Sequence, residues 1–157
     1  MRRPYIVGTP RPYPEDSGVD VLMPVDSPVI AVGNGFIIYS EGVGGFGKAH
    51  TPWIPTDEYP NDTPGCILLR LDVPVQYGSR SAAYFWYAHL SKLAYRIRDG
   101  IDAPRRVAEG MMIGHSGTGR GIPHLHCNLL FDRKQGPNDY IAPFEALKLM
   151  QTWKTAR

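Results

Sequence analysis

The sequence predicts a mostly β domain, antiparallel, finished by one short C-terminal helix. Three observations carry this. β-branched and aromatic residues gather in short runs rather than in long periodic stretches. Glycine (17) and proline (15) are both above their usual share and fall between those runs. A helical period appears only near the end of the 157 residues. That length is one domain, enough to bury about two-thirds of the surface its unfolded chain exposes.

Taken in order, residues 1–15 are proline-rich and expected to be extended, with the main domain running over 16–157. "VIAVGNGFIIYSEG" (29–42) reads as two strand segments around Asn34-Gly35, a turn dipeptide between β-branched runs. "GKAHTPWIPTDEYPNDTPG" (47–65) interrupts the pattern with four prolines and no period, and is expected to be a long functional loop. Its Trp53 and Tyr59 point to packing at the rim of a groove. "CILLRLDVPV" (66–75) and "SAAYFWYAHL" (81–90) are strands joined by the turn-like "QYGSR". "MMIGHSG" (111–117) and "HLHCNLLF" (124–131) complete the set. In the helix expected over about 143–154, Pro143 suits the first turn, and Phe144, Leu147 and Met150 recur on one side.

Composition narrows the function classes. Charged residues nearly balance, with 17 basic against 15 acidic and a net charge of +2. Twelve of the basic residues are arginines spread along the chain, so neither a nucleic-acid footprint nor an anionic-membrane patch is expected. No stretch is long and apolar enough for a membrane span. The first residues hold two arginines but no apolar core of a secretory signal, so action outside a cytoplasm is expected to need another route. Cys66 and Cys127 lie too far apart in sequence for a zinc or redox pair and read as small buried thiols, with a disulfide left open.

The chemistry gathers on histidines and aspartates. In an extended strand His124 and His126 emerge on one face about 7 Å apart, close enough for one to bind a metal while the other touches a water or substrate on it. The Gly-rich "GTGRGIP" before them is the turn that a site at a sheet edge would use. His89 lies in the apolar "YAHLS" and, alone, reads as a hydrogen-bonded core residue. Asp16 and Asp20 in "DSGVD" read alone as turn carboxylates or a strand-entry cap.

Together these pieces follow one pattern. "SGVDVLMPVDSPVIAVGNGFIIYSEG", then "YAHLS", then "VAEGMMIGHSGTGRGIPHLHC" resemble, in order and context, the lysostaphin/LytM-like zinc endopeptidases of peptidase family M23. That family carries HxxxD, YxH and HxH motifs. The resemblance runs from about residue 16 to 131, with an insertion at 47–65. It implies a single antiparallel β-sandwich or sheet of the lysostaphin-like (duplicated hybrid motif) type, one Zn2+ per chain, and cleavage of peptide cross-links in bacterial peptidoglycan. By the motif match Asp20 and His126 are metal ligands. His89 and His124 are the catalytic histidines that handle the attacking water's proton and stabilise the oxyanion. Imidazoles suit that work because their pKa lies near that of zinc-bound water.

The chain departs from the pattern at its first motif, where Asp16 stands in place of the family's histidine. Asp16 can serve as the third ligand, being a shorter carboxylate that must come closer. Alternatively His50 of the long loop supplies the ligand, with His115 a weaker substitute, or the site holds no metal. The last case makes the domain a catalytically degenerate structural, binding or regulatory module. Either way the expected setting is the cell wall outside the cytoplasm. Without a signal peptide, the expected context is a phage tail or virion, with other assembly proteins as partners.

Overall fold

The computed structural model describes residues 1–42 and 55–155. Among the described residues nine strands precede one helix: β1 (Thr9–Pro12), β2 (Val19–Leu22), β3 (Pro28–Ile30), β4 (Gly35–Glu41), β5 (Gly65–Tyr77), β6 (Arg80–Leu93), β7 (Arg105–Val107), β8 (Met112–Gly119), β9 (Ile122–Leu130) and α1 (Pro143–Gln151). These strands pair antiparallel throughout, in the order β1-β2-β9-β8-β6-β5-β4-β7, with β3 added on β8 and β9 also pairing β6. The expected antiparallel β class with one short C-terminal helix is what the chain forms.

Alternation sorts the side chains. Along β9, Leu125, Cys127 and Leu129 enter the main core with Val19, Val21, Phe85, Tyr87, Ile67 and Leu69. The intervening residues face the other side of the sheet. Buried Tyr87 satisfies its hydroxyl by donating to the Ile30 carbonyl (3.0 Å) and accepting from Val32 N–H (3.1 Å). That links the loop after β3 to β6. Cys66 and Cys127 are buried thiols, and burial pushes both well above the ordinary range.

Three short strands, β1, β2 and β7, go beyond the sequence reading. β1 pairs Arg11 with Asp20 and Thr9 with Leu22. Its proline-containing run sits at the sheet's edge, where missing N–H donors cost least. The helix also turns differently from its apolar period: Pro143, Ala146 and Met150 are buried, while Phe144 is 49% exposed. Leu147 packs against the core with Met150, so of the three apolar residues expected on one side only Phe144 faces outward. Among the described residues no helix is long and apolar enough to cross a membrane.

Candidate metal centre and its groove

The site forms where β2, β9 and β6 meet. The β2–β9 register sets Asp20 directly opposite His126, and Leu22 opposite His124. On the other flank of β9, Ala88 of β6 pairs with His126. A groove of about 690 Å3 opens on this face, walled by Tyr13, Trp86, Arg120 and Tyr140, with the aspartates and histidines lining it.

Asp16, Asp20 and His126 each bring one ligand atom to the same place, all within 4.8 Å of one another. His126 Nδ1 lies 2.9 Å from Asp20 Oδ1 and 3.7 Å from Asp16 Oδ1. Donors at about 2.0–2.2 Å from a tetrahedral ion stand roughly 3.3–3.6 Å from one another, so the two separations bracket the spacing required. The far side of the ring is held as well, with His126 Nε2 3.3 Å from Ser17 Oγ. A proton on Nε2, facing that hydroxyl, leaves the Nδ1 lone pair to the point the carboxylates share. The donor set fits a divalent ion.

Local sequence explains how the loop before β2 comes so near. A side chain at Gly18 would meet the Cys127 carbonyl at 2.5 Å and His126 Nε2 at 2.9 Å, so the approach needs glycine. Asn128, two residues beyond His126 on the same face, donates to the Ser17 carbonyl (2.6 Å) and to the Ile141 carbonyl (2.9 Å). It thereby pins the 16–18 turn over the strand. Asp16 Oδ1 accepts from Ser17 N–H at 2.7 Å, which orients its carboxylate.

His124 and His89 stand beside the donor set. His124 Nδ1 lies 2.7 Å from the Ile122 carbonyl, which fixes the proton on that nitrogen and leaves Nε2 facing Asp20 Oδ1 at 3.6 Å. The His89 ring is edge-on to His124 at 4.7 Å and 6.0 Å from His126. Burial first, then His124, His126 and Arg120, push His89 down to about 2, so its ring is neutral at ordinary pH. The backbone at His89 is left-handed, with φ of 64°. β6 pairs β9 through Ala88 and β8 from Leu90, so His89 falls at the changeover. Strain of this kind collects at functional sites.

The structure therefore brings together Asp16, Asp20, His89, His124 and His126, more than a hundred residues apart at the extremes. His115 stays away: it pairs with Pro28 and Lys92 and lies near Asp26. His50 and Trp53 lie outside the described residues. Tyr59 packs near Gly121, in the turn between β8 and β9. Ser17, Asn128, Asp62 and Thr63 also shape the site, and the sequence reading did not single them out. For Asn128 a signal existed, since an amide inside the apolar "HCNLLF" must find partners.

No protein-family model and no curated protein matches the chain. Solved structures do. The catalytic domain of the antimicrobial peptidase lysostaphin from Staphylococcus simulans is 27% identical, with a TM-score of 0.51 over 89% of each chain. Lysostaphin solved by NMR is 24% identical with a TM-score of 0.55, over 95% of this chain and 51% of that one. A point variant of the catalytic domain of the prophage-encoded M23 protein EnpA from Enterococcus faecalis matches at 15% identity and a TM-score of 0.54, over 87% and 89%. The chain thus spans about half the length of the NMR lysostaphin (51%). It has the lysostaphin/LytM-like fold of the M23 peptidases.

Proposed function

We propose that this chain is a zinc-dependent endopeptidase that cleaves peptide cross-links of bacterial peptidoglycan. The observation that carries the reading is the convergence of Asp16, Asp20 and His126 donor atoms within 4.8 Å on a groove that also presents His89 and His124. Zinc bound by such a set supplies Lewis acidity and lowers the pKa of a coordinated water towards neutrality.

The chain's own residues divide the remaining work. His126, its Nε2 proton turned to Ser17, offers Nδ1 as the neutral ligand, and Asp20 and Asp16 bring the negative charge. His124 holds its Nδ1 proton on the Ile122 carbonyl, so its Nε2 can accept a proton from a water in the groove and return it to the leaving amine. His89, neutral in its buried position, provides a ring N–H for the oxygen that gains charge as the scissile carbonyl is attacked. Trp86 stands edge-on to His126 at 5.4 Å and limits the groove's width beside it.

A second reading rests on Asp16. Two carboxylates and one imidazole carry one more negative charge than one carboxylate and two imidazoles, which makes the set less able to acidify a water. A chain with this defect in full is a binding or structural module. Zinc content and wall lysis separate the readings. The enzyme reading expects about one zinc per chain, lysis of cell walls, loss of both in His126→Ala, and a gain in both for Asp16→His. Absence of zinc at saturating supply, or zinc without lysis in wild type and Asp16→His alike, overturns it in favour of the module. The wall outside the cytoplasm is the proposed place of action and a phage tail the proposed setting, which requires the protein to be found in purified virions by mass spectrometry.

A further inference from the structure

We propose that Thr63, in the insertion before β5, is a positioning residue that sets the conformation of His89. The inference rests on the peptidase reading for its catalytic consequence but not for its structural content.

Thr63 does three things at one point. Its hydroxyl donates to the His89 carbonyl at 2.8 Å and accepts from Thr118 N–H at 2.9 Å, while its own N–H donates to the Thr118 carbonyl at 2.9 Å. It therefore spans β6 and β8 where β6 changes partner from β9 to β8. That is the point at which His89 takes its left-handed φ of 64°. For a residue other than glycine such a backbone is costly and persists only when its surroundings hold it. Thr63 is the side chain that grips the carbonyl of that residue.

The neighbouring sequence is arranged for the grip. Pro64 follows Thr63 and biases it to the extended backbone that can pair with Thr118. A Cβ at Gly117 would collide with Thr63 Oγ1 and with the His89 carbonyl, and one at Gly119 would stand 2.7 Å from three atoms of the His89 ring. In the run Gly117-Thr118-Gly119, the first glycine thus makes room for Thr63, the middle residue bonds it, and the last makes room for the imidazole. One residue earlier, buried Asp62 accepts from the N–H groups of Arg120 and Gly121 at 2.8 and 2.9 Å. Asp62 is thereby anchored at the β8–β9 hairpin tip, and Thr63 beside it meets the strand behind. Thr63 itself does not line the groove, so its influence passes through His89.

The test compares wild type with Thr63→Val, which keeps the shape and loses the hydroxyl, and Thr63→Ser, which keeps the hydroxyl. Displacing the imidazole by about 1 Å is expected to lower kcat for a peptidoglycan peptide about 10²-fold, with KM and zinc content little changed. Thr63→Ser should restore kcat, a rescue that a merely structural role for the γ-methyl would not produce. In parallel, the side-chain NMR signals of His89 should shift in Thr63→Val and return in Thr63→Ser. Should Thr63→Val fail to fold, Thr63→Ala removes the hydroxyl without adding bulk and is read in the same way. An active wild type with unchanged kcat and unchanged His89 signals in the hydroxyl-less variants overturns the proposal. A wild type without peptidase activity counts against the proposed function instead, and the NMR comparison then decides on Thr63 alone.

Discussion

A methyl group added at position 119 probes how tightly the site is packed. In Gly119→Ala the new Cβ would stand 2.7 Å from Cδ2, Cε1 and Nδ1 of His89. Non-bonded carbons settle at about 3.5–4.0 Å, so ring and strand must part by about 1 Å. The backbone raises no objection, since Gly119 is not among the residues with positive φ. At such a position Gly→Ala would stabilise by about 0.4–1 kcal/mol through the unfolded chain, whereas overpacking costs about 1–3 kcal/mol. The balance is a loss of up to about 2.6 kcal/mol, about 1.3 kcal/mol at mid-range, and at roughly 2–4 °C per kcal/mol for this size Tm falls by about 3–5 °C at mid-range and by up to about 10 °C. His89→Ala removes the obstacle, so in that background the same substitution should be neutral or stabilising. Thermal unfolding of the four proteins by circular dichroism gives the coupling. Equal Tm shifts in both backgrounds would refute the packing argument. Wall lysis by Gly119→Ala should fall about 10²-fold, because the displaced ring is the one beside His124.

Ser17→Ala removes the hydroxyl beside His126 Nε2 and should weaken zinc binding about 10- to 100-fold, measured by competition with a chelator; equal affinity would deny Ser17 its orienting role. The Arg98 guanidinium, which donates to both oxygens of Asp102, holds that carboxyl down at about 2. The unfolded chain binds the proton more readily, so this pair's stabilisation is full above about pH 3.9 and is lost as pH falls towards 2. Asp102→Asn should flatten that part of a Tm-against-pH curve, and an unchanged slope would count against the pair. Cys66 and Cys127, buried and with their thiols pushed up, should react with a thiol reagent only on unfolding; rapid labelling of native protein would contradict their placement.

Much of this molecule is legible in short windows of sequence, because strand alternation and turn chemistry are local. "HLHCNLLF" puts both histidines on one face and Leu125, Cys127 and Leu129 on the other, and the sheet keeps that division. The bend that ends at Asn34 and the turn after Tyr77 separate strands where glycine and polar residues punctuate apolar runs. Where packing rather than pattern decided, the reading was incomplete: of the apolar residues on one side of the helix, Met150 and Leu147 meet the core while Phe144 faces outward.

The sequence by itself determined the β class, the terminal helix and which histidines could share a face, since each depends on residues a few positions apart. Only the tertiary structure decided that Asp20 stands opposite His126, 106 residues away, and that Asp16 comes within 3.7 Å of the same nitrogen. It also decided that β6 changes partners at His89 and that Thr63, from a segment before β5 with no period of its own, closes on that carbonyl. Register between distant strands is set by the joint packing of every strand between them, and no single segment encodes it.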